Sequence, residues 1–322
     1  MTRPSEFDLI AKLFAPLATS PGAFGLKDDA AVIAPRAGFD LVVTTDTIVE
    51  GVDFFGDDPA GSIAKKALRV NLSDLAAKGA EPHAYLLTLS LPNAIEKRWL
   101  EDFAHGLGED QKHYAIDLLG GDISSTPGPL SISITAFGYV PEGRMIRRNG
   151  ARIGDAVYVT GTIGDSGGGL ALLKSEAKSD EADELIAHYR VPEPPVTFGP
   201  KLRGLASAAL DVSDGLLADL GHVADASGLR IVVEAQNIPR SAALRSLWGD
   251  GADAIVRAAT AGDDYQIAFT APDSREHEIV EAARVSVTQV TRIGRVVSGA
   301  GVGLLDMEGG EIAVARAGFR HF

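Results

Sequence analysis

Phe7, Ile10, Leu13, Phe14 and Leu17 recur at helical spacing, so the chain opens on an amphipathic helix, with Ser5 placed to cap its first turn. Two short apolar runs, residues 30–34 and 41–45, predict strands. The helical period returns over residues 62–78, and Gly79 is the expected residue past its C-terminus. Further strands are expected at 85–91, 118–120 and 131–139, with an acidic, solvated helix over 95–110. Residues 141–155 are polar, hold Gly143 and Gly150 and carry several arginines, so the domain boundary is placed there: an N-terminal domain over 1–140 and a C-terminal one over 141–322. The second half offers strands at 156–160, 208–212, 231–234, 266–270 and 292–297. Helices are expected at 170–173 and 215–226, with a four-proline loop at 191–200. Strands and helices interleave in both halves, which makes the class α/β or α+β.

Composition narrows the functional classes. The 322 residues carry 44 acidic and 30 basic side chains, a net charge of −14. Such a surface repels phosphate backbones and anionic bilayers, so nucleic acid and membrane are not expected partners. No stretch approaches the ~18 apolar residues of a membrane span, and the charged N-terminal pattern is not that of a signal peptide. The absence of cysteine removes disulfides, thiolate metal sites and thiol nucleophiles, and suits the cytoplasm.

The common nucleotide cradles are missing: there is no Gly-Lys pair, no H-R-D loop and no clean G-x-G-x-x-G. Instead, apolar runs repeatedly meet aspartate. Asp46, Asp122 and Asp214 follow such runs, Asp28 and Asp29 precede one, and so do Asp263 and Asp264. Asp74 shares a helix face with Asn71 and Lys78. Carboxylates and hydroxyls are hard oxygen ligands suited to Mg²⁺, which takes one or two carboxylates per ion together with substrate phosphates. Each aspartate alone has an ordinary structural explanation as a turn residue or helix cap; it is the recurrence that suggests metal. Gly164-Asp-Ser-Gly-Gly168 matches G-x-S-x-G, so a serine hydrolase using Ser166 is the alternative from another class; the competing explanation is a glycine turn for close packing. Among Arg144, Arg147 and Arg148 a phosphate clamp could stand.

Several segments in order resemble the thiamine-monophosphate kinase family, of the superfamily that includes aminoimidazole ribonucleotide synthetase. They are Lys27-Asp-Asp-Ala-Ala-Val, Thr44-Thr-Asp-Thr-Ile-Val-Glu-Gly-Val, Lys66-Ala-Leu-Arg-Val-Asn-Leu-Ser-Asp-Leu-Ala-Ala-Lys-Gly-Ala80, Leu119-Gly-Gly-Asp122, Asp211-Val-Ser-Asp-Gly-Leu and Gly262-Asp-Asp-Tyr265. The resemblance implies an N-terminal α+β domain that forms a barrel across a homodimer, and a C-terminal α/β domain. It implies transfer of the ATP γ-phosphoryl group to thiamine monophosphate in the presence of several Mg²⁺ ions, or, in a paralogue, to another small phosphate ester.

By the same resemblance, the metal positions fall on Asp29, Thr44, Thr45, Asp46, Asp74, Asp122, Asp211 and Asp214, with Asp46, Asp74 and Asp122 central to catalysis. Nucleotide contacts fall on His105, Gly121, Asp122, Arg148 and Ser213, and substrate contacts on Asp53, Asp263 and Phe319. Three positions depart from the family pattern. Asp53 stands where His is usual, Asp263 stands where Glu is usual, and Phe319 replaces a bulkier aromatic. All three lie on the substrate side.

Overall fold

The computed structural model describes residues 6–175 and 180–319, so Ser5 lies outside the described residues. The chain separates into two compact units: Met1–Leu75 with Ala80–Gly143, and Ala76–Gly79 with Arg144–Phe322.

The first unit is built on an open four-stranded sheet of order β1-β4-β2-β3, with β1 Phe39–Val49, β2 Glu81–Pro92, β3 Asp117–Thr126 and β4 Ser131–Pro141. β4 runs antiparallel to β1 and β2, while β2 and β3 are parallel. That parallel pair requires a crossover, supplied by a helix. Alternation along the strands sends one row of side chains, among them Leu89, Leu91, Ile132 and Ile134, into a core with Leu68, Leu72, Phe103 and Leu107, all at most 1% exposed. The last four belong to two long helices, here numbered with a short N-terminal α1 (Glu6–Leu9): α2 (Ala60–Ala77) and α3 (Lys97–Tyr114). A Cβ on Gly106 would stand 2.6 Å from the Gly61 carbonyl oxygen, so the two helices meet backbone to backbone. Arg69 and Asp110 clamp the same helix pair through two buried hydrogen bonds of 2.7 and 2.8 Å.

Two expectations about this unit need correction. The N-terminal helix is α-helical only over Glu6–Leu9, continues as a π turn over Ile10–Phe14 and ends as a 3₁₀ turn over Ala15–Leu17. Pro16, which has no N–H to give, stands in that last turn. Residues 30–34 are not a strand. Val32 N–H donates to the Gly22 carbonyl at 2.9 Å, and Ala31 and Ile33 pack with Ala84, Leu119 and Phe137. The run is therefore spent covering the end of a sheet and not extending it. Within a single chain the sheet does not close into a barrel, since β1 and β3 are left as its edges.

The second unit holds a six-stranded sheet of order β10-β7-β9-β5-β8-β6. Its elements run β5 Ala156–Thr160, α4 Asp165–Ser175, α5 Asp180–Arg190, β6 Ala208–Asp211, α6 Leu216–Ser227, β7 Arg230–Glu234, α7 Ala242–Trp248, α8 Ala252–Thr260, β8 Ile267–Ala271, α9 Glu276–Val285, β9 Val290–Val297 and β10 Gly301–Leu305. Every residue of β5 and β8 is buried. Both faces are covered, which is why these strands read as unbroken apolar runs. Leu216, Leu220 and Val223 of α6 join Val157, Leu210, Ile231 and Ile293 in one core; Leu172, Leu185 and Leu244 form a second. Helix α4 starts five residues before the expected 170–173, and α5, α7, α8, α9 and β10 lie outside the expected elements; none exceeds 11 residues.

Candidate active site

In the first unit, β1 delivers a cluster of acids. Thr44, Asp46 and Ile48 point to the same face, opposite Ala136, Ile134 and Ile132 of β4. Thr44 Oγ1 donates a short hydrogen bond to the Asp74 carboxylate on α2. Asp46 is half-buried, and its pKa is pushed up to about 6 by burial first, then by Asp74 and Asp53. Three carboxylates thus converge where they repel one another, with hydroxyl oxygen beside them. That is the donor set a hard divalent cation takes, and a cation would relieve the repulsion.

Asp53 lies in the turn that follows β1. Its carboxylate accepts the Val49 N–H at 2.8 Å, and its own N–H donates to Val49 O at 2.9 Å. The ammonium of Lys66, 1% exposed, donates to the Asp53 carbonyl at 2.7 Å. The departure from His therefore has a local explanation: a short carboxylate closes the turn.

Thr45, Thr47 and Asp122 are elsewhere on the sheet. Thr45 shares a 3.0 Å hydrogen bond with Thr135, and Thr47 one of 2.6 Å with Ser133; these hydroxyls line the face opposite Asp46. The register runs Thr47–Ser133–Thr88–Asp122 across the four strands, which puts the exposed Asp122 in that outer row. β1 and β3 are opposite edges, three strand spacings or about 14 Å apart along the sheet. Asp46 with Asp74 and Asp122 are therefore not brought together within one chain. Gly121, beside Asp122, admits no side chain, because a Cβ there would fall 1.7 Å from Leu87 O. Asp29 is exposed, with its N–H on the Asp28 carboxylate at 2.8 Å. His105 is exposed on α3, 3.4 Å from Glu109, and lines a cleft of about 340 Å³ with Pro16, Leu17, Thr19, Lys112 and Asp117.

In the second unit, one loop collects the expected residues. Asp211 ends β6, and Ser213 and Asp214 follow before α6. The Asp263 N–H donates to Ser213 O at 2.8 Å, and the Phe319 N–H to Asp214 O at 2.9 Å. Asp211, Ser213, Asp214, Asp263 and Phe319 are thus neighbours through the main chain. Arg148 is exposed in the segment beside β6, where Ala209 N–H donates to Arg147 O at 3.0 Å.

Two buried carboxylates brace loops of this unit, Asp219 the one before α6 and Asp264 the one before α4; the sequence singled out Asp264 only as one of the recurring aspartates and Asp219 not at all. Asp219 accepts the N–H groups of Ser213, Asp214 and Gly215 at 3.0, 3.1 and 3.1 Å. Its pKa is pushed up to about 7 by burial and by Asp214, against the lowering by those three bonds. Asp214, Asp219 and His222 bring ligand atoms within 4.8 Å of one another, and one of the two Asp219 oxygens is taken by the loop. Its signal in the chain was only an aspartate five residues after Asp214. Asp264, fully buried, accepts the Gly164 N–H at 2.8 Å and the Ser166 N–H at 3.4 Å; burial raises its pKa well above the usual carboxylate range. Asp263 and Tyr265 on either side of it are held at φ of 67° and 50°, a left-handed conformation costly for non-glycine residues and typical of functional sites.

The burial of Ser166 speaks against the hydrolase alternative. Ser166 is 2% exposed in the first turn of α4, whereas a nucleophile elbow presents its hydroxyl. The glycines of the motif serve packing: a Cβ on Gly164 would fall 2.7 Å from Ala258 Cα, and one on Gly168 2.8 Å from Leu244 Cδ1. Ser166→Ala is expected to keep turnover within about threefold of the parent in a steady-state assay. A loss of several orders of magnitude would restore the hydrolase.

Known proteins match most of the chain in sequence and fold. The AIR synthase related protein N-terminal domain matches residues 27–140, and the C-terminal domain of the same family matches residues 152–306. The thiamine-monophosphate kinase of Caulobacter vibrioides is 42% identical over 324 aligned residues, covering 99% of this chain and 91% of the relative. The crystal structure of thiamine-monophosphate kinase from Stenotrophomonas maltophilia K279a superposes with a TM-score of 0.81 at 43% identity, covering 87% of this chain and 89% of the other. AaThiL complexed with AMPPCP and TMP superposes with a TM-score of 0.80 at 31% identity, covering 100% and 99% of the two chains. With two domain matches and this identity along its whole length, the chain belongs to the thiamine-monophosphate kinase family.

Proposed function

We propose that the protein transfers the γ-phosphoryl group of ATP to thiamine monophosphate, giving thiamine diphosphate and ADP, with Mg²⁺ held by its aspartates. The observation that carries this reading is the convergence of Thr44, Asp46 and Asp74, where burial first, then Asp74 and Asp53, raise the Asp46 pKa to about 6. An acidic cluster has no use for two polyanionic substrates unless cations stand between them. Bound Mg²⁺ would neutralise the phosphates and the charge that develops on the transferred group. Asp46 and Asp74 would hold ions in the first unit, and Asp211 and Asp214 offer oxygen ligands of the same kind in the second. Arg148 would donate to the nucleotide phosphates. No general base is needed, because the attacking phosphate, with a second pKa near 6, is largely ionised at neutral pH. Asp263 and Phe319 would orient the acceptor. The cleft beside His105 would take the base, since it combines apolar walls with polar groups at its rim.

A homodimer belongs to the same proposal. The outer sheet face exposes Leu41 and Val43 at 41% and 54% beside the hydroxyl row, an apolar surface at an edge strand that a monomer would cover or charge. Asp122 on that face, and on the far edge from Asp46, would then complete the metal cluster of a second copy. We place the enzyme in the cytoplasm, where ATP is available and a chain without cysteine needs no oxidising compartment. Among the described residues no helix is long and apolar enough to cross a membrane.

The direct test is ADP release with ATP, Mg²⁺ and thiamine monophosphate, the product being identified by chromatography. Stoichiometric thiamine diphosphate and ADP are expected; nucleotide binding without thiamine diphosphate would move the proposal to another phosphate ester.

A second test needs no turnover. The Asp46 pKa is raised from 3.8 to about 6, so the folded state holds the proton more tightly than the unfolded one. Its contribution to stability is complete below 3.8 and is lost as pH rises through about 6. Asp219 adds the same sign up to about 7. A cation replaces the proton on Asp46. Mg²⁺ is therefore expected to raise Tm by several degrees near pH 8 and by almost nothing near pH 4, read by thermal melts. An equal rise at both would leave Asp46 out of the metal site.

A further inference from the structure

We infer that Asp219 is the positioning residue for the candidate site residues of the second unit: its carboxylate sets the shape of the loop between β6 and α6, and through that loop the places of Asp263 and Phe319. The inference deepens the proposed function and rests on it for the roles of those residues.

Helix α6 begins at Gly215, which has no side chain to cap it. The acceptor comes from within the helix instead. Asp219 turns back, and a single oxygen accepts the N–H groups of Ser213, Asp214 and Gly215 at 3.0, 3.1 and 3.1 Å. Three consecutive N–H groups can meet at one atom only if the backbone curls into a nest, a shape that elsewhere receives anions. Here the anion is built in.

With the N–H groups turned inward, the carbonyls of the same three peptide groups, those of Val212, Ser213 and Asp214, face outward, and each is taken. Val212 O accepts the Tyr265 N–H at 2.8 Å, Ser213 O the Asp263 N–H at 2.8 Å, and Asp214 O the Phe319 N–H at 2.9 Å. The approach is so close that both neighbours need glycine. A Cβ on Gly262 would lie 2.5 Å from Ser213 O, and one on Gly318 2.5 Å from Asp214 O. Two segments distant in sequence are therefore registered on one loop, and the loop on one side chain.

The choice of residue supports a positioning role. Asp219 is 4% exposed and lies beside Asp214, so its burial is costly and the two charges repel. A helix start needing only stability has cheaper solutions, such as serine or threonine at the cap. Charge-assisted bonds to three N–H groups offset the cost and give a stiffer loop than neutral caps do.

The test uses the full-length protein with Asp219→Ala and Asp219→Asn. In Asp219→Ala, the amides of Ser213, Asp214 and Gly215 are expected to exchange with deuterium about tenfold faster or more, and those of Asp263, Tyr265 and Phe319 to accelerate with them. Leu210 in β6 and Ile231 in β7 should keep parent rates. The KM for thiamine monophosphate should rise about tenfold, more than kcat falls, and Asp219→Asn, which keeps an acceptor oxygen, should recover part of both. Should Asp219→Ala fail to fold, the same amides in Asp219→Asn decide, with an intermediate acceleration expected. Acceleration confined to 213–215, or parent exchange and KM in both variants, overturns the inference. A parent protein that does not turn over thiamine monophosphate would defeat the proposed reaction, but the linked exchange of the three segments would still decide the role of Asp219.

Discussion

Asp46→Asn should lower kcat by about a hundredfold to a thousandfold or more, the loss seen when a group that stabilises transition-state charge is removed. Asparagine has nearly the same shape, so the strand and its pairing with Ile134 are retained. What goes is one negative charge from a cluster where burial, Asp74 and Asp53 already hold the carboxyl up to about 6. Two consequences separate this residue from an ordinary structural aspartate. The metal-free variant should melt at or above the parent temperature near pH 8, because a repulsive charge has been deleted. The rise in Tm with Mg²⁺ should shrink with the activity. Turnover close to the parent's would sink the metal assignment at Asp46 outright. A variant that loses both activity and fold would instead make Asp46 structural.

Mixed dimers of Asp46→Asn and Asp122→Asn should recover activity that neither variant has alone. In the proposed homodimer each variant would lack a ligand in every site. If one site draws Asp46 from one copy and Asp122 from the other, a mixed dimer holds one site lacking both and one intact. Random pairing makes half the dimers mixed, so about a quarter of the parent activity is expected after co-expression in equal amounts. The geometry behind this is plain: the two aspartates lie on opposite faces and on opposite edges of an open sheet. Recovery no greater than the sum of the separate variants would put all the ligands in one chain. It would also require the sheet to bend so that β1 and β3 approach.

Much of the fold was legible because burial imposes a period. The two long helices of the first unit and the strands β1, β2, β4 and β5 stand close to where the apolar pattern put them. The pattern failed where a run of apolar residues served another purpose. Residues 30–34 look like a strand but cover the end of the sheet through Ala31 and Ile33. The N-terminal segment keeps helical spacing, yet Phe7 is 79% exposed, and the backbone tightens to a 3₁₀ turn at Pro16. The short helices α7 and α8 pack on small residues such as Ala243 and Ala258, whose burial leaves little hydrophobic contrast to read.

The sequence by itself determined which chemistry is available: many hard oxygen donors, no thiol, a strongly negative surface, and motifs in the order of one kinase family. These are properties of residue type and local spacing, and they survive without a fold. Only the tertiary structure decided which donors meet. It put Thr44, Asp46 and Asp74 on one sheet face and Asp122 on the other, because strand pairing, set over dozens of residues, fixes rows and faces that no local window contains. It also turned G-D-S-G-G into a packed helix start and made Asp219 and Asp264 into buried anchors. A carboxylate's role depends on the N–H groups that surround it, and those arrive from distant parts of the chain.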